Sequence, residues 1–368
     1  MYLKTLVLQD IRNYPELKIE FQPGLNIILG ANAAGKSNIL EAIFFLHLGR
    51  SLRVFDEQEM IRWGQPEGYI TAEITNAVGT QHIGIRLAKD QEKKIQVNKK
   101  NISSPGGLRI IAPAVMLSSK DGELISGEPV LRRGFLNQLL VQIEAEYSYR
   151  LLKLKRIILS RNEILKQIRD ERQKPDNLDI WNQQLQEEAD YITGKRRAVI
   201  AVLQKTANQV WQALSHEPHK KISLEYKTNC PEEKNNWPKV WLMIQPEEIK
   251  QARTLIGPQR DDLEVIIDKG DGAKHLRLFG SQGEQTLTAY ILRLSQAAVI
   301  EEEQKQHPLI LGDDIFAEID AQTQGQMVQY LRSQEQVFLA ATDQERIKNI
   351  ADPKIMYQVH NNACSRIE

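Results

Sequence analysis

The sequence predicts an α/β fold in which a mixed sheet with helices and an antiparallel β part are interrupted by an inserted α-helical arm. Three observations carry this. Runs rich in Val, Ile and Leu at Leu3–Leu8, Leu25–Leu29, Tyr69–Ile74, His82–Leu87 and Lys94–Val97 are separated by Gly, Asn and Asp turns and read as strands. From Arg132 to about Leu214, Gly and Pro nearly vanish. Leu151, Ile158 and Leu165 recur there every seven residues with Leu154 between the first two, and Leu178, Leu185, Ile192 and Val199 follow the breaker Lys174-Pro175-Asp176-Asn177. Strand character then returns at Ile222–Tyr226, Leu263–Ile267, Leu276–Phe279, Pro308–Leu311, Val337–Ala341 and Lys354–Val359. The expected partition is a head (1–131), a helical hairpin arm (132–215) and the rest of the head (216–368). Thr228 to Trp241, with Pro231 and Pro238, reads as a loop or the edge of an insertion.

Composition narrows the class of function. With 368 residues, 41% hydrophobic and 26% charged, the chain is globular rather than disordered or collagenous. Its 48 Lys and Arg balance 48 Asp and Glu, so any hold on a polyanion must come from local patches. Cys230 and Cys364 stand far apart without CxxC spacing, which points away from a zinc site and fits a reducing cytoplasm. Met1 to Asp10 lacks a signal-peptide core, and Ile39–Leu48 is too short to span a bilayer, so a cytoplasmic location is expected.

The run Gly30-Ala31-Asn32-Ala33-Ala34-Gly35-Lys36-Ser37 fits G-x-x-x-x-G-K-[ST] between the strand Leu25–Leu29 and a helix from Asn38 to Leu48. Such a loop turns successive N–H groups and a helix N-terminus toward phosphate oxygens. Lys36 then reaches the β- and γ-phosphates, and the Ser37 hydroxyl ligates Mg2+. A second element, Pro308 to Asp314, is an apolar strand delivering two acids at its C-terminal end, where open α/β sheets bind ligands. Asp313 is expected to hold the metal and Asp314 to polarise the attacking water. Third, Ser281-Gln282-Gly283 opens a helix running from Thr286 to about Glu302, a further anion-facing helix start that reads the nucleotide of a partner copy.

Taken together, the phosphate loop, the helical insertion, Ser281-Gln282-Gly283, the Asp313-Asp314 strand and Ala317-Glu318-Ile319-Asp320 resemble the ABC-type ATPase heads of the SMC-like family. A repair branch of that family is resembled more closely, through Leu8 to Tyr14, Leu40 to Ile43, Gly127 to Leu136 with Arg132-Arg133, and Gly257-Pro258-Gln259-Arg260-Asp261-Asp262-Leu263. The resemblance covers essentially the whole chain. It implies an ATP- and Mg2+-dependent homodimer in which Ser281 of one copy meets the γ-phosphate held by Lys36 of the other. Slow hydrolysis would release a clamp on double-stranded, gapped or junction DNA that assists the mediators RecO and RecR and, indirectly, RecA. It also implies nucleotide contacts for Arg12, Asn13, Asn32, Asn38 and Thr342, with Asp343 in a switch beside Thr342. The chain departs from the family pattern at Ser119 and Lys120 (Pro-Glu is usual), Gln259 (His), Thr286 (Arg) and Gly312 (a bulky aliphatic).

DNA candidates come from charge. Across Arg150–Lys174 there is an excess of six positive charges, and Lys153, Lys155, Arg156 and Arg161, with Arg196 and Arg197 on the returning helix, read as a phosphate-binding stripe. The same run also describes an ordinary solvated helix face. Lys93, Lys94, Lys99 and Lys100 beside an Asn98 turn form a second stripe. Other readings of the phosphate loop are a small-molecule phosphotransferase, a transporter's nucleotide-binding subunit and a non-hydrolysing ATP-binding protein. The Ser281 motif and the arm weigh against the phosphotransferase.

Overall fold

The computed structural model describes residues 1–51, 56–102, 105–215, 220–268, 272–342 and 355–367. Asp343 and Lys354, named above, lie outside them. The chain divides into two compact units, one of 1–122, 206–219 and 280–368 and one of 123–205 and 220–279. The second therefore holds the expected arm up to residue 205 together with 123–131 and 220–279.

Two six-stranded sheets build the first unit. One is antiparallel, from β1 (Tyr2–Ile11), β2 (Tyr14–Glu20), β4 (Glu67–Asn76), β5 (Gly79–Ala88), β6 (Gln91–Val97) and β7 (Lys100–Ile102), in the order β2-β1-β4-β5-β6-β7. Buried residues alternate with half-buried ones, or with the exposed Thr71, along β4, and this period of two makes the sheet legible in the sequence. Asn98 and Lys99 both take positive φ (49° and 66°) and close the β6–β7 hairpin, as a two-residue turn with right-handed strand twist demands. The other sheet uses β3 (Gly24–Leu29), β8 (Ala114–Ser118), β12 (Leu309–Asp313), β13 (Gln336–Ala341), β14 (Ile355–His360) and β15 (Ala363–Ile367), in the order β15-β14-β3-β13-β12-β8. All but β15 run parallel. Their C-terminal ends share one edge, and the phosphate loop, Asp313 and Ser118 all lie on it.

Around these sheets stand α1 (Lys36–Leu48), α2 (Gly106–Ile111), α9 (Gln282–Gln304) and α10 (Ala321–Arg332). Residues of α1 from Ile39 to Leu48 are buried on every side and share one apolar core with both sheets. Gly312 in β12 has no room for the usual aliphatic: a Cβ there would come within 2.6 Å of Leu339 Cδ2 and 3.1 Å of Ile315 Cδ1, which fill the space instead.

His47, in the last turn of α1, is completely buried, with Nδ1 2.9 Å from the Ala112 carbonyl oxygen. Burial pushes its pKa down to about 3. In the unfolded chain the imidazole takes up a proton near pH 6.5, whereas the folded site stays neutral. The unfolded state thus binds more protons between those values, and stability falls as pH drops through 6.5 toward 3. The loss amounts to roughly 2 kcal/mol at pH 5. His47→Gln, which retains a donor for Ala112, is expected to lose less stability between pH 7.5 and pH 5 than the parent by about that amount in chemical denaturation.

The second unit contains α3 (Glu123–Ser126), α4 (Pro129–Ile143), α5 (Tyr147–Arg169), most of α6 (Asp179–Leu214), α7 (Trp237–Gln251) and α8 (Leu276–Phe279). Its sheet is antiparallel, β11 (Ala273–His275), β10 (Asp262–Asp268) and β9 (Lys221–Lys227) in the order β11-β10-β9. Leu276–Phe279, expected as a strand, is a helical turn in which only Leu276 is buried. A four-residue apolar run carries too little periodicity to separate the two states. The α6 series is buried as expected, but in α5 the buried stripe runs through Tyr147, Leu154, Ile157, Arg161, Leu165 and Ile168, leaving Leu151 and Ile158 half-buried. Trp237–Trp241 opens α7 rather than continuing a loop. Its Trp237 Nε1–H donates to Asp190 Oδ1 at 3.0 Å, and Trp237 stacks on Trp241. No helix among the described residues is long and apolar enough to cross a membrane.

Candidate nucleotide site

Strand β3 ends at Leu29, and the next residue meets the neighbouring strand: a Cβ on Gly30 would lie 2.8 Å from the Val359 carbonyl oxygen. The loop then turns through Ala33 (φ 62°) and Gly35 (φ 112°). At Gly35 a side chain is excluded twice over, by the left-handed backbone and by the Tyr14 hydroxyl 2.5 Å from where Cβ would sit. Helix α1 begins at Lys36, so its unsatisfied N–H groups face the loop that Ala31, Asn32 and Ala33 expose. The buried Lys36 ammonium donates to the Gly30 and Ala31 carbonyl oxygens at 2.9 Å each. Burial lowers its pKa, while Asp314 and Asp313 act to raise it.

Asp313 ends β12, and its Oδ1 accepts from Ser37 Oγ at 2.9 Å. A hydroxyl and a carboxylate at this separation are hard oxygen donors of the kind Mg2+ prefers, so these two residues fit the metal. Asp314 follows in a left-handed turn (φ 52°) whose N–H donates to the Ala340 carbonyl oxygen at 3.2 Å. Beside Asp313 opens a cavity of about 510 Å3 lined by Glu41, Phe44, Met116, Ser118, Ser119 and Lys120.

The residues around the loop are only partly placed as expected. Asn13 joins it directly: its Nδ2 donates to Ala34 O at 3.3 Å and to Asn362 Oδ1 at 2.8 Å, and its Oδ1 accepts from Asn38. Arg12 is committed elsewhere. Its guanidinium donates through Nε and Nη2 to both carboxylate oxygens of Glu41 (3.0 and 2.8 Å) and through Nη1 to Glu59 O, so it forms an ion pair with Glu41, a residue of the cavity wall. Thr342 is exposed just beyond β13. Glu41, Tyr14 and Asn362 were not singled out individually, because only the fold shows that the chain's last hairpin reaches the phosphate loop.

Ser281 caps α9, its Oγ accepting the Glu284 N–H at 3.3 Å in a reciprocal capping box. Ser281 and Gln282 are exposed. Glu318 ties down the helix start by accepting from Gln282 Nε2 at 3.1 Å and from the buried Thr286 hydroxyl at 2.8 Å. The short Thr286, where the family carries Arg, is thus the size this contact needs. Ser281, Gly283 and Glu318 line a second cavity of about 540 Å3 whose walls share no residue with the one beside Asp313.

Two DNA candidates require correction. Arg161 is buried, its guanidinium donating to Glu248 Oε2 at 2.5 Å, Thr254 Oγ1 at 3.0 Å and Asn182 Oδ1 at 3.0 Å. Arg196 is equally buried and donates to Asp261 Oδ2 (2.9 Å), the Pro258 carbonyl oxygen (2.7 Å), Asn137 Oδ1 (3.0 Å) and the Tyr147 hydroxyl (3.2 Å). Both are core cations and no part of a surface. Lys153 pairs with Glu188 at 2.6 Å and Arg197 with Glu232 at 3.5 Å, whereas Lys155 and Arg156 are exposed. In the other stripe Lys93 is held by Glu57 and the Gly49 carbonyl oxygen, leaving Lys94, Lys99 and Lys100 exposed. The Gly257–Asp262 motif anchors Arg196, and its Gln259 Nε2 closes onto the Ile256 carbonyl oxygen at 2.8 Å.

Comparison with known proteins places these features in a family. Residues 2–365 match the model for the RecF/RecN/SMC N-terminal domain. A DNA replication and repair protein RecF from Lactococcus lactis subsp. lactis is 33% identical over 363 residues, covering 98% of each chain. The RecF of Halalkalibacterium halodurans is 30% identical over 357 residues, covering 94% of each. Among solved structures, a recombination mediator protein RecF with ATP superimposes with a TM-score of 0.88 at 26% identity, covering 100% of this chain and 98% of that one. The Pyrococcus furiosus Smc head (TM-score 0.59, 17% identity, covering 100% of this chain and 96% of that one) shares the fold.

Proposed function

The chain belongs to the RecF/RecN/SMC N-terminal domain family, among its RecF-type DNA replication and repair proteins, and from this premise we propose that it is an ATP-switched clamp on DNA. The observation that carries the reading is the separation of the two phosphate-facing elements: the Lys36 loop and the Ser281 helix start open on different cavities, and Ser281 is exposed. A second copy presenting its Ser281 to the nucleotide on Lys36 completes each site. Two ATP molecules then hold two chains together.

In each site the backbone N–H groups of Ala31 to Gly35 and the Lys36 ammonium bind the phosphates, and Asn13 and Asn38 fix the loop. Ser37 and Asp313 would hold Mg2+, which when bound neutralises charge on the phosphate oxygens. Asp314 orients a water on the γ-phosphorus and accepts its proton as the bond to the β,γ-bridging oxygen breaks, leaving ADP and phosphate. Asp is one methylene shorter than Glu and holds the water less closely, which favours a long-lived closed state over fast turnover. The exposed Lys155 and Arg156, with Lys94, Lys99 and Lys100, supply sequence-independent backbone contacts to double-stranded or gapped DNA. No aromatic interleaves with them to stack single-stranded bases. The RecFOR pathway named for a solved relative supports a role beside RecO and RecR; assistance to RecA in the cytoplasm is what the sequence resemblance adds to this reading.

The test combines oligomeric state and DNA binding in the same samples, on gapped, duplex and single-stranded DNA with no nucleotide, ATP or ADP. ATP alone is expected to produce the dimer and to tighten duplex or gapped DNA binding about tenfold or more. Ser281→Arg should abolish both while the monomer still binds ATP. DNA binding indifferent to nucleotide would refute the clamp.

A further inference from the structure

Lys120 departs from its family's pattern, and its position in the fold gives the departure a role. Strand β8 pairs in parallel with β12 so that Ser118 lies opposite Asp313, and the Ser119 N–H donates to the Asp313 carbonyl oxygen at 3.3 Å. Beyond it the chain makes a tight turn. The Asp121 N–H donates to the Ser118 carbonyl oxygen at 3.0 Å, and Asp121 Oδ2 accepts the Ser118 N–H at 2.7 Å. Arg293 holds the buried Asp121 from α9 at 3.1 Å. Ser119 and Lys120 are thereby fixed at the tip of a braced turn on the sheet edge that carries the phosphate loop. Lys120 lines the cavity beside Asp313, is exposed, and makes no ion pair with any described residue. The cavity's other ionisable groups are already engaged, Glu41 with Arg12 and Asp313 with Ser37.

Resting on the nucleotide-site reading above, we propose that Lys120 is the residue by which this chain distinguishes a nucleoside triphosphate from a diphosphate, its ammonium contacting the terminal phosphoryl group across the cavity beside Asp313. A lysine ammonium is a point charge suited to phosphate, and the γ-phosphoryl group is what ATP has and ADP lacks at this end of the site. Its effect is greatest where no divalent cation neutralises the same oxygens.

The experiment measures the affinities of the full chain for ATP and for ADP, by calorimetry, in magnesium and in EDTA. Lys120→Gln is expected to weaken ATP about fivefold in magnesium and about tenfold in EDTA, roughly one unit charge at a partly solvated site, with ADP within about twofold of the parent. Lys120→Arg should restore the parent's preference, and the nucleotide-free unfolding midpoint should not move. An unchanged ratio of ATP to ADP affinity in Lys120→Gln, or equal losses for both nucleotides, overturns the assignment while leaving the site intact. If Lys36→Ala bound both nucleotides as the parent does, the phosphate-loop reading would fail first, and the inference with it.

Discussion

Lys36→Ala is expected to weaken ATP binding about 100-fold or more, close to 2.7 kcal/mol, and with it to remove ATP-dependent dimerisation. The ammonium is buried at the mouth of the loop, 2.9 Å from two carbonyl oxygens. In so enclosed a site its charge is poorly screened, and water replaces it badly. The adjacent carboxylates make the loss worse: without Lys36, Asp313 and Asp314 are left to repel an incoming polyphosphate. Asp314→Asn is the discriminating partner. It keeps the shape and the binding charges, so ATP binding and dimer formation should persist while phosphate release slows by roughly 100-fold or more, the range for losing a general base. Calorimetry, sedimentation and a phosphate-release assay on the two variants separate binding from chemistry. An Asp314→Asn protein that released phosphate at the parent's rate would remove Asp314 from the reaction.

Arg196→Ala is expected to destabilise the unit that contains it by about 3–5 kcal/mol, the usual cost of stripping one partner from a buried ion pair. Four groups lose their donor at once: the Asp261 carboxylate, the Pro258 carbonyl oxygen, Asn137 and the Tyr147 hydroxyl. Tyr226, which donates to the same Asp261 oxygen, does not replace the missing charge. Lys155→Ala combined with Arg156→Ala should do the opposite. Stability stays within about 0.5 kcal/mol, while duplex DNA affinity falls and the slope of its logarithm against that of salt concentration drops by about one to two. Chemical denaturation and DNA titrations at three salt concentrations read both effects. Weak DNA binding by a fully stable Arg196→Ala protein would reverse the assignment of Arg196 to the core.

These two variants mark where the sequence was legible and where it was not. The phosphate loop is local: eight consecutive residues between a strand and a helix state their geometry almost alone. The same holds for Asp313-Asp314 after an apolar strand and for Ser281 as a helix cap. Cations on helices are different, since a buried arginine and a solvated one have identical neighbours in sequence. What buries Arg161 and Arg196 is a partner at Glu248 or Asp261, 87 or 65 residues away. Strand β8 passed unnoticed for a related reason. Its five residues, Ala114 to Ser118, do not alternate, and only pairing with β12 declares them a strand, which is why Lys120 stood out as an oddity of composition before it stood out as a place.

The strand order around β3 also has a consequence for how the protein comes into being. Strand β3, which leads into the phosphate loop, is made more than three hundred residues before either of its sheet neighbours, β13 and β14. Gly30 rests on Val359, and Asn13 reaches Asn362. A chain still tethered to the ribosome therefore carries the full nucleotide-binding motif in its sequence without the scaffold that shapes it. Contacts at such separation form late. The shape that holds a nucleotide therefore waits on β13 and β14, and a chain made only as far as α10 carries the motif without the sheet that sets its geometry.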